Sequence, residues 1–162
     1  MAGEPDPLPV YCQPVEEWDA SWTAFEREVL TRTNQRRAQG ADCGVEGTFS
    51  AAGAFRANDL LRCAARNQSR DMAVRNFVGH TNPDGESAAE RIDKAGYVWS
   101  EAGENIAGGQ TTPAEVVDGW MGSPGHCANI MHSSFTELGV GYYFDMDATY
   151  GHYWTQAFGR PR

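Results

Sequence analysis

The apolar repeat in this chain changes period once, and late. From Trp18 to about residue 131 apolar side chains recur at helical spacing; from Val140 onward they alternate every second residue. Val140, Tyr142 and Phe144 form one alternating run, and His152 to Phe158 forms another beyond Asp145-Met146-Asp147-Ala148-Thr149. Together they predict an antiparallel hairpin at the C-terminal end. Helices first and strands late, without strand-helix alternation, predict an α+β fold and exclude a doubly wound parallel sheet. Amphipathic helices need an apolar face to cover, and the hairpin supplies part of one. The expected architecture is a three-layer α-β-α sandwich with a central antiparallel sheet.

Trp18, Trp22, Phe25, Val29 and Leu30 mark a first helix over about 18–39, stopped by Gly40. Residues 41–57, rich in Gly and Ala, read as a long loop. Leu61, Ala64, Ala65, Gln68 and Met72 mark a second helix over about 59–75, with Asn58 as its cap. A turn-rich stretch over 79–88 ends in the capping box Ser87-Ala88-Ala89-Glu90, which opens a short helix reaching about Ala95. A second box, Thr112-Pro113-Ala114-Glu115, opens a helix presenting Val116, Val117 and Trp120. Ser123-Pro124 caps another short helix over 124–131. Residues 1–17 hold four of the eight prolines and read as an extended arm before a single domain over 18–162.

A chain of 162 residues suits one domain with a real core. Its net charge of -9 excludes a surface that tracks nucleic-acid phosphates. No apolar run approaches the roughly 20 residues of a membrane-spanning helix. Met1-Ala2-Gly3-Glu4-Pro5 carries no charged-then-apolar signal pattern. The protein is expected to act as a monomer on an unidentified extracellular ligand.

Cys12, Cys43, Cys63 and Cys127 are even in number and include no Cys-x-x-Cys pair, which favours two disulfides over four buried thiols. Three connectivities are open. On the second helix, Cys63 lies well over 90° from the core stripe through Leu61, Ala64, Ala65 and Gln68, so an arm carrying Cys12 can lie against it. Cys43 and Cys127 then pair, closing a long loop and bracing the turn that holds His126. The expected bridges are Cys12–Cys63 and Cys43–Cys127.

Three short runs hold chemistry-bearing side chains beside glycines or helix starts. They are Gly79-His80-Thr81-Asn82-Pro83-Asp84-Gly85, Gly103-Glu104-Asn105-Ile106-Ala107 and Ser123-Pro124-Gly125-His126. Two imidazoles and a carboxylate suit Zn²⁺ with a water in the fourth position, or acid–base chemistry near neutral pH. The competing reading is structural: all three groups hydrogen-bond to loop backbone. A nucleophile is harder to place. Cys127 adjoins His126 on a helix, where neighbouring side chains diverge by about 100°, and it reads better as half of a disulfide. Ser123 reads as an N-cap, and Trp120 and Trp154 as core. No Gly-x-Ser-x-Gly elbow or His-Glu-x-x-His helix occurs.

Taken in order, these residues resemble the CAP superfamily: cysteine-rich secretory proteins, wasp-venom antigen five, plant pathogenesis-related proteins and many bacterial secreted domains. The resemblance runs from about Thr23 to Gly159. Asn34-Gln35-Arg36-Arg37 is similar to the family's Asn-x-x-Arg, with Thr33 where a His often precedes it. Gly103-Glu104-Asn105-Ile106-Ala107 resembles its most recognisable signature, and Tyr153-Trp154-Thr155-Gln156-Ala157-Phe158-Gly159 resembles the closing strand of its bacterial branch. Leu138-Gly139-Val140-Gly141 begins twelve residues after His126, the family's interval, so His126 is the counterpart of the family His and His152 an ordinary strand histidine.

The resemblance implies a cleft of two His and two Glu. It transfers to His80, Glu104 and His126, while the second Glu falls on Ser123, leaving Glu101 and Asp118 as nearby candidates. With one carboxylate missing, Zn²⁺ binding is expected to be weak and lost below about pH 6. The expected function is a secreted binding or interaction module. A metal-dependent or metal-regulated hydrolase of peptide or cell-wall substrates is the alternative, and a lipid or sterol carrier the third.

Overall fold

Four of the α-helices begin where the sequence carries a side-chain cap. The computed structural model describes Gly3 and residues 6–162, so residues 1, 2, 4 and 5 of the expected arm, with most of the Met1–Pro5 run, lie outside the described residues. A helix α1 (Gln13–Glu16) is followed by α2 (Ala20–Gln39), which Asp19 opens by accepting from the Ser21 and Trp22 N–H groups at 2.8 and 3.2 Å. The strands β1 (Ala41–Asp42), β2 (Thr48–Phe49) and β3 (Arg56–Ala57) come next. Asn58 then caps α3 (Asp59–Val74), and Ser87 caps α4 (Ala88–Lys94). After β4 (Trp99–Gly108), Thr112 caps α5 (Pro113–Met121), and α6 (Pro124–Met131) follows. The C-terminal hairpin is β5 (Glu137–Phe144) and β6 (His152–Pro161).

The main sheet has the order β3-β5-β6-β4. Its three long strands are antiparallel, and the two-residue edge strand β3 runs parallel to β5. The alternation of β5 and β6 splits the core. Leu138, Val140, Tyr142, Trp154 and Phe158 face a layer with Val29 of α2, Val116 and Trp120 of α5, and Ile130 of α6. The opposite face receives α3 and, beside it, α4, around Leu61, Ala65, Ile92 and Ala157. The result is an α-β-α sandwich. Gly139 and Gly141 let α3 lie directly on β5: a Cβ at either would fall 2.0 Å from Arg62 N or 2.3 Å from Ala65 C. No side chain fits there.

Two sequence expectations need correction, and the strand β4 has no counterpart among them. The arm is not extended throughout, because Val10–Cys12 forms a 3-10 turn and α1 follows it, burying Cys12 and Val15 against α3. Proline is tolerated in a first helical turn, so Pro14 does not prevent that helix. The stretch 41–57 is no plain loop either, since β1 pairs with β2 around a 3-10 turn, Gly44–Glu46. The strand β4 carries too few branched or aromatic residues, and too many glycines and polar groups, to show alternation in sequence. Both expected disulfides are present, Cys12–Cys63 with Cα atoms 5.4 Å apart and Cys43–Cys127 at 5.5 Å. Among the described residues no helix is long and apolar enough to cross a membrane.

Candidate functional site

The edge strand β4 is where the two helical layers can meet, and the candidate residues gather there. His80 comes from the turn after α3, Glu104 from the middle of β4, and His126 from the first turn of α6. All three line one open cleft of about 430 Å³, with Ser123, Gly125 and Glu46.

Glu104 is buried, and each of its carboxylate oxygens has a partner. One carboxylate oxygen meets His80 Nδ1 at 2.9 Å, and the other accepts from Arg91 Nη2 at 2.7 Å. Arg91 is itself buried and also donates to the carbonyls of Glu86 and His80. The hydrogen bond that Glu104 accepts raises the pKa of half-exposed His80, with burial opposing it. His126 is pushed the other way, first by burial and then by nearby His80. Near neutral pH the cleft therefore presents two imidazoles with opposite tendencies toward charge.

His126 is held through its backbone. Asn105 donates from Nδ2 to the His126 carbonyl at 3.2 Å and to Gln156 Oε1 at 3.1 Å. Gln156 donates to Thr33 Oγ1 at 2.9 Å, while Asn129 donates to Asn105 Oδ1 at 2.9 Å. This buried amide chain runs from α2 through the sheet to α6, fixing the site helix against β4.

The donor set does not fit a resident zinc ion. Both oxygens of Glu104 are already committed, and among the described residues no three His, Cys, Asp or Glu side chains converge as a metal-binding group. The two candidate replacements for the missing carboxylate are elsewhere. Glu101 lies 3.6 Å from His132, and Asp118 pairs with Arg36 of α2. Glu46 is the second carboxylate that lines the cleft beside Glu104, and sequence reasoning missed it. The signal was available: if Cys43 pairs with Cys127, residues just after Cys43 must come close to His126.

The remaining candidates have structural places. Cys127 is bonded to Cys43. Ser123 stands before α6 and lines the cleft, but its hydroxyl makes no capping bond. His152 Nδ1 is paired with the Tyr142 hydroxyl at 2.7 Å. Trp120 and Trp154 are buried, donating to the carbonyls of Ile106 and Gln110.

Residues 30–158 match the model of the cysteine-rich secretory protein, or CAP, family. The chain belongs to this family. An uncharacterised Bacillus subtilis protein, YkwD, is 36% identical over 140 residues, covering 86% of this chain and 48% of that protein. A second, the uncharacterised B. subtilis membrane protein YlbC, is 29% identical over 126 residues, 78% of this chain and 34% of that protein. The chain thus spans about half or less of these curated relatives. Among solved structures, an extracellular protein with an SCP domain from Bacillus anthracis shares the fold with a TM-score of 0.73 at 23% identity, over 89% of this chain and 44% of that one. A cysteine-rich secretory protein from Staphylococcus aureus superposes with a TM-score of 0.64 at 16% identity, over 87% and 40% of the two chains.

Two CAP segments acquire a physical meaning here. Asn34 clamps the Phe55 backbone, accepting from its N–H at 2.7 Å and donating to its carbonyl at 3.2 Å. Arg37, buried, donates to the carbonyls of Gly53, Ile130, His132 and Phe135 and stacks 3.8 Å over the Phe55 ring. Burial lowers its pKa to about 10. The Asn-x-x-Arg run of this CAP domain is therefore a clasp joining α2 to the loop before β3, the end of α6 and the loop that follows it. Its Gly103–Ala107 run delivers both the cleft carboxylate and Asn105 of the amide chain.

Proposed function

We propose that this CAP domain is a secreted binding module that holds a polar ligand group between His80 and His126. One observation carries the reading: both oxygens of Glu104 are spent on His80 and Arg91, so the imidazoles, not a free carboxylate, are offered by this part of the cleft. With Nδ1–H donated to Glu104, His80 keeps Nε2 as its free ring nitrogen. Burial favours neutral His126, which can accept or donate one hydrogen bond. Cys127 is unavailable as a nucleophile. Extracellular action fits the two disulfides, which persist in oxidising compartments.

Acid–base hydrolysis is the second reading. The Glu104–His80 pair favours it, because a carboxylate that holds Nδ1–H fixes the tautomer of a general base. The two readings separate by assay of the purified protein against peptide, ester and peptidoglycan substrates, with and without added Zn²⁺. A binding module shows no turnover under any of these conditions. Turnover that His126→Ala abolishes would establish the hydrolase instead.

A further inference from the structure

A second polar groove, of about 410 Å³, lies against α3, with the N-terminal segment and the 79–88 turn contributing to its wall. It is separate from the histidine cleft, and Arg91 is placed between them, lining this groove while holding Glu104 of the other. We propose that this groove binds a neutral saccharide.

The charge balance narrows the ligand class. Three guanidinium groups line the groove, on Arg70, Arg75 and Arg91, against three carboxylates, on Asp71, Asp84 and Glu86. Most are already matched. Arg75 donates to Asp71 at 2.7 Å and to Asp84 at 2.9 Å, Lys94 pairs with Glu86, and Arg91 pairs with Glu104. The charges that line the groove sum to zero, so their total favours neither an anion nor a cation. It does offer flat hydrogen-bonding groups held at fixed orientations, which suit the paired hydroxyls of a sugar.

Several of those groups are preset by bonds within the fold. Asn82 accepts from the N–H groups of Asp84 and Glu86 at 3.1 and 2.9 Å and donates to Glu86 Oε1 at 3.2 Å. Tyr11 is held by the adjoining Cys12–Cys63 bridge and by Asn67, which donates to its carbonyl at 3.1 Å. Its half-buried ring supplies the aromatic wall on which sugar C–H groups can stack. Spare capacity remains as well: Arg70 is exposed and has no ion pair among the described residues.

The test is an amide NMR titration of the folded protein with chitotriose and maltotriose as neutral probes. Trigalacturonate serves as the anionic probe and the trimer of glucosamine as the cationic one. At least one neutral probe should move the signals of Asn67, Asn82 and Glu86, and more strongly than either charged probe. Tyr11→Ala should weaken that binding about tenfold, the effect of losing one stacked aromatic face. Arg70→Ala, an exposed substitution that keeps the arm intact, should weaken it about threefold or more. Binding of charged probes alone, shifts confined to the His126 cleft, no response to either neutral probe, or unchanged affinity in folded Arg70→Ala would overturn the proposal.

Discussion

Glu104→Ala is expected to cost about 3–5 kcal/mol of folding stability, because it strands the Arg91 guanidinium in the interior without its counter-charge. Arg91 is 1% exposed, and its other acceptors are the neutral carbonyls of Glu86 and His80. Neither carries the charge that Glu104 supplies at 2.7 Å. Urea unfolding of the variant and the parent protein measures the difference. Combining Glu104→Ala with Arg91→Met should recover part of the loss, since an apolar side chain leaves no orphaned charge. A loss below about 1 kcal/mol in the single variant would mean that the pair is not buried as described.

Removing the Cys43–Cys127 bridge as Cys43→Ala/Cys127→Ala should lower stability by roughly 3–5 kcal/mol on the chain-entropy model, given its separation of 84 residues. The consequence for the cleft distinguishes this bridge from the other. Cys43 begins the turn that carries Glu46, and Cys127 follows His126, so the bond ties one wall of the cleft to the other. Cys12→Ala/Cys63→Ala removes a 51-residue separation and should cost a similar amount, within about 0.5 kcal/mol. It should leave the His126 and Glu46 amide signals in place, whereas the Cys43/Cys127 variant should move them. Equal perturbation of the cleft by both variants would contradict the assigned role of the Cys43–Cys127 bond.

The parts of this fold legible in sequence are those with a local physical signature. Asn58, Ser87 and Thr112 each cap the helix that their spacing announces, and the alternation of β5 and β6 is explicit. Helix geometry placed Cys63 opposite the α3 core stripe, where the N-terminal segment covers it. The strand β4 was hidden because its inward positions are filled by glycines and by polar groups that satisfy one another, such as Glu104 and Asn105, and not by a visible apolar stripe. The site shows the same division. His80, Glu104 and His126 stood out by residue type beside turn and helix-start signals. Arg91 was invisible as a partner of Glu104, because a helical arginine reads as solvated until its helix is packed against the sheet. Glu46 was hidden in a stretch whose two short strands are below the length at which alternation can be seen.

Histidine-specific NMR titration tests the central claim most directly: Glu104 is committed to His80 and Arg91, and the two cleft imidazoles are held in opposite senses. His80 should titrate above its ordinary value of 6.5, because Glu104 accepts its Nδ1–H bond. His126 should titrate below 6.5, because burial and neighbouring His80 disfavour its charged form. The linked stability effects then have opposite signs. The contribution of His80 is fully present below pH 6.5 and is lost as pH rises through its folded value. The contribution of His126 is present above pH 6.5 and is lost as pH falls through its folded value. In Glu104→Gln the His80 midpoint should fall, with the carboxylate charge gone. Two histidines titrating together near 6.5, or a His80 midpoint indifferent to Glu104→Gln, would contradict the account.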